Sequence, residues 1–355
     1  MVMPLDVSMW IGTDETVRML LEVTERMDYR ELNASYDRES KADEATPKQM
    51  FQLTVLGYMD QTHSLRRLES ACRNDIRYMY ILNGKPAPDH NKFWRFIKHH
   101  LQGDVAEGLL YQLVRLLEVR GEISYAHVFV DGTKIEANAN RYSFVWSKSV
   151  VKNEARLDRK VELLFKEFTL RYPMNGIHPT NGVHPTNGIS AEQDARSWLE
   201  CLHRLKAEQG VEFVSGRGKR KTQLQRDVEI LESYCERKHQ YADCNLEFRG
   251  RNSFSKTDHD ATFMRMKEDH MKNGQLKPGY NLQLAVEDEY IVGMDISAER
   301  PDQTTLLPLL DRMAKGNGGK RHACVVANAG YESEENYLGV RQRGQLAYNA
   351  SPAPL

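Results

Sequence analysis

The stretch Val128-Phe129-Val130-Asp131-Gly132-Thr133-Lys134-Ile135-Glu136-Ala137-Asn138-Ala139-Asn140-Arg141-Tyr142 decides the fold. His127 to Val130 reads as a short apolar strand that ends on the carboxylate of Asp131. A Gly-Thr turn and a polar, Asn-rich segment follow. A buried strand that carries an acid to its exposed end can hold a metal ligand rigidly. The pattern returns near the C-terminus, where Ala323 to Ala327 is a second apolar strand and ends on Asn328-Ala329-Gly330-Tyr331. The first strand delivers a carboxylate. The second delivers a neutral amide.

Around these strands the composition is ordinary. The chain has 355 residues, 28% charged and 40% hydrophobic, enough for two or three domains. No apolar run approaches a membrane span, and Met1 to Trp10 lacks the build of a signal peptide. The five cysteines (Cys72, Cys201, Cys235, Cys244 and Cys324) are odd in number and irregularly spaced, which fits a reduced, cytoplasmic protein better than a disulfide framework. The net charge of −1 decides nothing about partners, but its distribution does. Between His63 and Gln102 there are eight Lys or Arg against three acids, and between Ser215 and Arg226 five basic residues and no acid. Local basic surfaces on a neutral chain suit phosphate contacts. For any single run, a solvated helix face is the blander reading.

Working outward, residues 1–122 read as helical. One helix is expected over Asp14 to Met27. Thr46-Pro47 starts another, with Pro at the first helical position. A further helix runs through Leu65, Leu68 and Cys72, another from Asn91 to His100, and a last one from Asp104 to Val119 with a leucine face of helical period. Phe93, Trp94 and Phe96 read as a buried aromatic face beside Arg95 and Lys98. Past the Asp131 strand, residues 150–274 turn helical and charged. They contain the repeat Asn175-Gly176-Ile177-His178-Pro179-Thr180, Asn181-Gly182-Val183-His184-Pro185-Thr186, which reads as a surface loop. Strands resume at Gly279 to Val286, turn at Glu287-Asp288-Glu289 and return over Tyr290 to Ser297 as a hairpin. A helix over Pro301 to Met313 and the Cys324 strand close the series.

Several blocks are similar to a known family. Asp131 to Trp146 resembles the first catalytic block of DDE transposases from bacterial insertion sequences. Cys72-Arg73-Asn74-Asp75, Pro88-Asp89-His90 and Phe93-Trp94-Arg95-Phe96 resemble their helical N-terminal domain. Lys277-Pro278-Gly279-Tyr280-Asn281-Leu282-Gln283 resembles their second strand, and Val325 to Asn336 their second catalytic block, which in the family reads Ala-Asp-Ala-Gly-Tyr. The blocks stand in the family's order over most of residues 28 to 345. The resemblance implies an α+β fold. Residues 1–122 would be the helical DNA-binding domain. Residues 123–149 and 275–355 would form a ribonuclease H-like mixed sheet, incomplete at the C-terminus, and 150–274 a large helical insertion.

The same resemblance implies two Mg²⁺ (or Mn²⁺) ions that flank a scissile phosphate, held by two Asp and a Glu. Asp131 would be the first acid, and Asn328 stands where the second belongs. The chain stops before the family's third. Gly344 to Leu355 drifts from the pattern into an Ala/Ser/Pro ending. Glu332, Glu334 and Glu335 follow Asn328 too closely to be that third ligand and read as the first turn of a helix. The expected reaction is metal-dependent cleavage and transfer of DNA strands at element ends, impaired in this copy. Expected partners are double-stranded DNA, both inverted repeats and target, and a second copy in a homodimer, with no membrane. Arg66, Arg67, Arg95 and Lys98 of the helical domain, Lys134, and the basic loop Lys219-Arg220-Lys221 are the candidate DNA contacts. The rival readings are an inactive DNA-binding or oligomerising fragment that inhibits intact copies, and another metal-dependent nuclease. Cys201, His203, Cys235, His239 and Cys244 lack the usual zinc spacing. Trp146 reads equally as a base-stacking residue and as a cover for the sheet.

Overall fold

The computed structural model describes residues 7–36, 43–173, 189–216, 218–266 and 274–350. The His-Pro repeat, Arg217 and the last five residues of the chain lie outside the described residues. In chain order the helices are α1 (Thr16–Glu25), α2 (Arg30–Ala34), α3 (Pro47–Met59), α4 (Leu65–Asn74), α5 (Ile76–Leu82), α6 (His90–Arg95) and α7 (Gly103–Arg120). Strands β1 (His127–Glu136) and β2 (Phe144–Trp146) precede helices α8 (Ser147–Arg171), α9 (Ile189–Glu208) and α10 (Gln223–Phe248). Then come β3 (Ser253–Ser255), β4 (Thr262–Arg265), β5 (Leu276–Glu287), β6 (Tyr290–Ser297), α11 (Leu306–Gly316), β7 (Cys324–Asn328), α12 (Glu334–Gln342) and β8 (Leu346–Ala350). This is an α+β protein, with a helical N-terminal region followed by a mixed sheet.

The chain divides into two compact units. The first comprises Met1–Gly132, Gln283–Asp295 and Pro301–Leu355. Its helical part is built by strong local signals. Thr46 and Gln49 form a reciprocal capping box at the start of α3, with Pro47 in the first turn. Asp75 caps α5 through Arg77 N, and Asp89 caps α6 through Lys92 N. Leu53, Leu56, Leu68, Phe93 and Phe96 form the centre of its core. Phe93 and Phe96 are three residues apart and point inward, as expected. Trp94, one step round the helix, is exposed, and Lys98 Nζ lies 4.6 Å from its ring centroid. The buried aromatic face therefore has two members, not three.

The sheet of this unit runs in the order β5-β1-β7-β8, with β6 hairpinned onto β5. β1 pairs with β7 in parallel, and β7 with β8 in parallel. Val128, Val130, Val325 and Ala327 face a core that is shared with Leu306, Leu309, Leu310 and Met313 of α11, Val340 of α12 and Val114 of α7. Two expectations change here. β1 does not end at Val130 but runs on to Glu136, because β5 continues beside it after β7 has stopped, as the Ala137 N to Pro278 O bond marks. Leu346–Ala350 is also no shapeless tail. It pairs in parallel with β7 and adds a strand to the sheet, which the following Ser-Pro-Ala-Pro composition hides from a sequence reading.

The second unit comprises Thr133–Leu282 and Ile296–Arg300. α8, α9 and α10 pack around Phe168, Trp198, Leu202 and Leu231. Residues 150–274 are not wholly helical, as the sequence had suggested. β3 pairs with β2, and β4 pairs antiparallel with the first half of β5. Runs of three and four residues are too short for periodicity to detect.

Two features give testable consequences. The hairpin between β5 and β6 turns on Asp288 and Glu289, both left-handed, with φ of 46° and 71°. A two-residue turn of this kind favours Asn-Gly or Asp-Gly. Glu289→Gly should therefore raise the unfolding free energy by about 0.5–1 kcal/mol in urea titration.

The second is buried. His322 and Glu287 are 3% and 2% exposed, and His322 Nε2 lies 3.0 Å from Glu287 Oε2. The backbone N–H and hydroxyl of Ser124 donate to the other carboxylate oxygen. Burial pushes the His322 pKa below its usual 6.5, against the opposing pull of Glu287. The folded ring is thus held neutral, while the unfolded chain takes up a proton as the pH falls through 6.5. This part of the stability is complete above that pH and drains away below it. Urea midpoints at descending pH should fall more steeply for the native chain than for His322→Gln.

Candidate active site

β1 and β7 deliver the two residues singled out by sequence. The last parallel rung is Val130 opposite Ala327, so Asp131 and Asn328 emerge next to each other where β7 ends. Asn328 Nδ2 donates to Asp131 Oδ1 at 2.6 Å. Asn328 Oδ1 accepts from the backbone N–H of Gly330 at 2.9 Å, which caps the turn Ala329–Tyr331. Asp131 Oδ1 also accepts from the N–H of Gly132, at 2.9 Å. The amide's orientation follows from these partners. Turned over, it would set N–H against N–H at Gly330 and oxygen against oxygen at Asp131.

Beneath this pair lies a buried polar layer that the sequence reading did not anticipate. Tyr331 folds back so that its hydroxyl donates to Gln283 Oε1, and both side chains are almost fully buried. Burial above all, then the charges of Asp302 and Asp131, raises the Tyr331 pKa, so the hydroxyl stays protonated and remains a donor. Gly132 sits directly on the layer. A Cβ there would fall 2.7 Å from Gln283 Nε2 and 2.9 Å from the Tyr331 hydroxyl. The one available signal was a buried-strand alternation, in which Asn281 and Gln283 are polar where Leu282 and Leu284 are apolar.

Asp302 joins the site from the loop after β6. A Cβ at Gly330 would lie 3.2 Å from Asp302 Oδ2 and 2.9 Å from Asn328 Oδ1. The neighbouring segment is tied down. Gln303 Nε2 donates to Glu332 O, and Asn336 Nδ2 donates to the carbonyls of both Gln303 and Tyr331. Ser333 caps α12, and Glu334 and Glu335 occupy its first turn.

Two family models match the chain. Residues 10–99 match a family model described as a transposase domain (DUF772), and residues 251–349 match the transposase DDE domain. Together the matches cover just over half of the chain, and the second contains Asn328 and all but the last residue of β8. No curated protein and no solved structure matches. The chain belongs to the DDE-type transposases of insertion sequences.

The transposase therefore comes from a family of enzymes that cleave and transfer DNA and generally use divalent metal ions. Its own residues do not fit such an ion as they stand. Mg²⁺ wants anionic oxygens that face it. Here Asp131 Oδ1 already accepts two N–H groups, and Asn328 turns its NH₂ toward it. Among the described residues, no group of three or more His, Cys, Asp or Glu is placed to hold a metal. Cys201, Cys235 and Cys244 are free thiols, His203 faces Glu232, and His239 faces Asp243.

The remaining candidates of the transposase are spread over both units. In the first, Arg66 and Arg67 are exposed on α4, and Arg95 and Lys98 are exposed on α6 and the turn after it. α4 and α6 are tied together by Glu69, which accepts from His90 N and lies 2.8 Å from its ring nitrogen. In the second, Lys134 is half-buried on β1, and Lys219 and Arg220 are exposed. Lys221 pairs with Glu229 at 2.6 Å, so its charge is partly neutralised. Trp146 packs against Phe144 and Phe263.

The buried layer should be sensitive to single atoms. Tyr331→Phe takes the hydroxyl from Gln283 and should cost about 1–3 kcal/mol in chemical denaturation. Gly132→Ala forces a methyl into the same contact and should cost a similar amount, about 1–3 kcal/mol.

Proposed function

We propose that this chain acts on DNA at the ends of an insertion sequence, through a reaction of metal-dependent strand cleavage and strand transfer that this copy performs poorly or not at all. The observation that carries the reading is the amide of Asn328 facing the carboxylate of Asp131, side by side at the end of β7 in a transposase fold. Positions 131 and 328 are the family's first two acid positions. With Asn at 328, most of the attraction for a divalent ion is lost. Mg²⁺ or Mn²⁺ remains the cofactor of the reaction class. The strand order β6-β5-β1-β7-β8, with β1, β7 and β8 parallel, supports a ribonuclease H-like core. On this reading residues 1–122 bind DNA, 123–149 and 275–355 form the catalytic core, and 150–274 are inserted into it.

DNA is held by exposed cations on the helical domain, Arg66, Arg67, Arg95 and Lys98, with Lys134 and the Lys219-Arg220-Lys221 loop as further contacts. Paired element ends call for a homodimer working in the cytoplasm. The Asp131–Asn328 pairing equally favours a second role. A copy that binds ends without cutting them would inhibit intact copies by occupying their sites or by joining them in mixed dimers.

The test is binding and cleavage of DNA that carries the element's inverted repeats. The protein should bind these ends in preference to unrelated duplex and leave them uncut with either Mg²⁺ or Mn²⁺. Cutting at the ends would refute the impairment, and indifference to the end sequence would refute end recognition. Replacing Arg66, Arg67, Arg95 and Lys98 with Gln should reduce the slope of log K against log salt by about 3–4 if all four residues touch phosphates. An unchanged slope would remove them from the interface.

A further inference from the structure

We propose that the Asn328 amide stands in for a divalent cation between the ends of β1 and β7, so that the site closes without metal. This rests on the reading of positions 131 and 328 as the acid positions of a transposase. It adds what the amide does there.

The polarity of the neighbouring groups fixes what residue 328 must offer. Gly330 N–H points at one atom of the residue 328 side chain and requires an acceptor there. Asp131 Oδ1 lies 2.6 Å from the other atom and requires a donor or a positive charge. Asn meets both demands in a single orientation. Its NH₂ carries partial positive charge and donates directly to the carboxylate oxygen of Asp131. Asp in the same place would satisfy Gly330 equally well, but it would set two carboxylate oxygens against each other. Such a pair holds together only with a proton or a cation between them. The two side chains have nearly the same shape, so the backbone of the turn Ala329–Tyr331 and the clamp of Tyr331 on Gln283 are unaffected by the choice. Position 328 therefore selects between a site that needs a cation to close and one that carries its own donor. This chain has the latter.

Asp302, beside Gly330, does not reverse this. It adds a second carboxylate near the turn, but the Asp131 oxygen that faces Asn328 is already engaged.

The experiment uses the full chain, with Mn²⁺ as the probe. Bound Mn²⁺ is followed by the loss of the free-ion electron paramagnetic resonance signal, and thermal unfolding is measured with Mn²⁺ and with chelator. The native chain should show no Mn²⁺ site that Asp131→Asn abolishes, and its Tm should not respond to Mn²⁺. Asn328→Asp should bind Mn²⁺ at least about tenfold more tightly than the native chain and gain Tm on its addition. The proposal is overturned if the native chain binds Mn²⁺ through Asp131, or if Asn328→Asp binds no better than the native chain. Should Asn328→Asp fail to fold, Asp131→Asn in the native background decides. Loss of the carboxylate that Asn328 faces should lower Tm in chelator by about 2–4 °C. An unchanged or higher Tm, the behaviour of a carboxylate waiting for a metal, would overturn the proposal. Inverted-repeat binding separates the two readings: its absence would refute end recognition and leave the Mn²⁺ result standing.

Discussion

The parallel rung between Val130 and Ala327 forces the next residues of β1 and β7 side by side, and the polar chemistry of the centre follows from that contact. Strand register admits no half measures, since a slip of one residue would turn Asp131 into the core and Val130 out of it. The burial of Val128, Val130, Val325 and Ala327 against α11 holds the register from below. β1 then continues past the point where β7 stops. Asp131 is therefore held within a long strand, with backbone pairing to β5 on one side and an open position on the other. A carboxylate placed this way has little freedom to search for a partner, and what stands across from it decides its state.

The layer under Gly132 extends that constraint. Tyr331 comes from the turn that Asn328 caps, and Gln283 comes from β5, so their hydrogen bond ties the end of β7 to the strand on the far side of β1. The missing side chain of Gly132 is what lets the two meet. Buried polar contacts of this sort contribute little net stability, but they are costly to leave half-made. They suit a place where position matters more than strength. His322 and Glu287 do similar work at the opposite end of the same strands, joining the segment before β1, the end of β5 and the start of β7.

What the sequence showed and what it hid follow one physical line. The apolar runs into Asp131 and Asn328 were legible because three and five consecutive apolar residues bounded by polar ones have few other uses. The α3 start was legible because Thr46, Pro47 and Gln49 act locally. α5 was hidden because its seven residues run directly on from α4, broken only by Asp75. β3 and β4 were too short to show a period, and the alternation of β8 was obscured by small residues and the prolines after it. Gln283 and Tyr331 were passed over for another reason: a polar residue within a strand reads as exposed unless its partner is known, and that partner lies 48 positions away. Asp302 was invisible in the same way, because only the fold brings it to Gly330.

On the function proposed above, the amide at position 328 also bears on how DNA would meet this site. An acidic pair without its ions repels the phosphate it is meant to receive, so DNA binding and ion binding are coupled in a site built that way. Replacing one carboxylate with an amide removes a negative charge from that surface and spends part of the other in an internal hydrogen bond. The repulsion falls, and the need for ions to offset it falls with it. On the proposed reading, such a chain would lose the chemistry first and the ability to hold DNA last. DNA is held, on the reading proposed above, at the basic helices of the N-terminal region, which the side chain at position 328 leaves untouched.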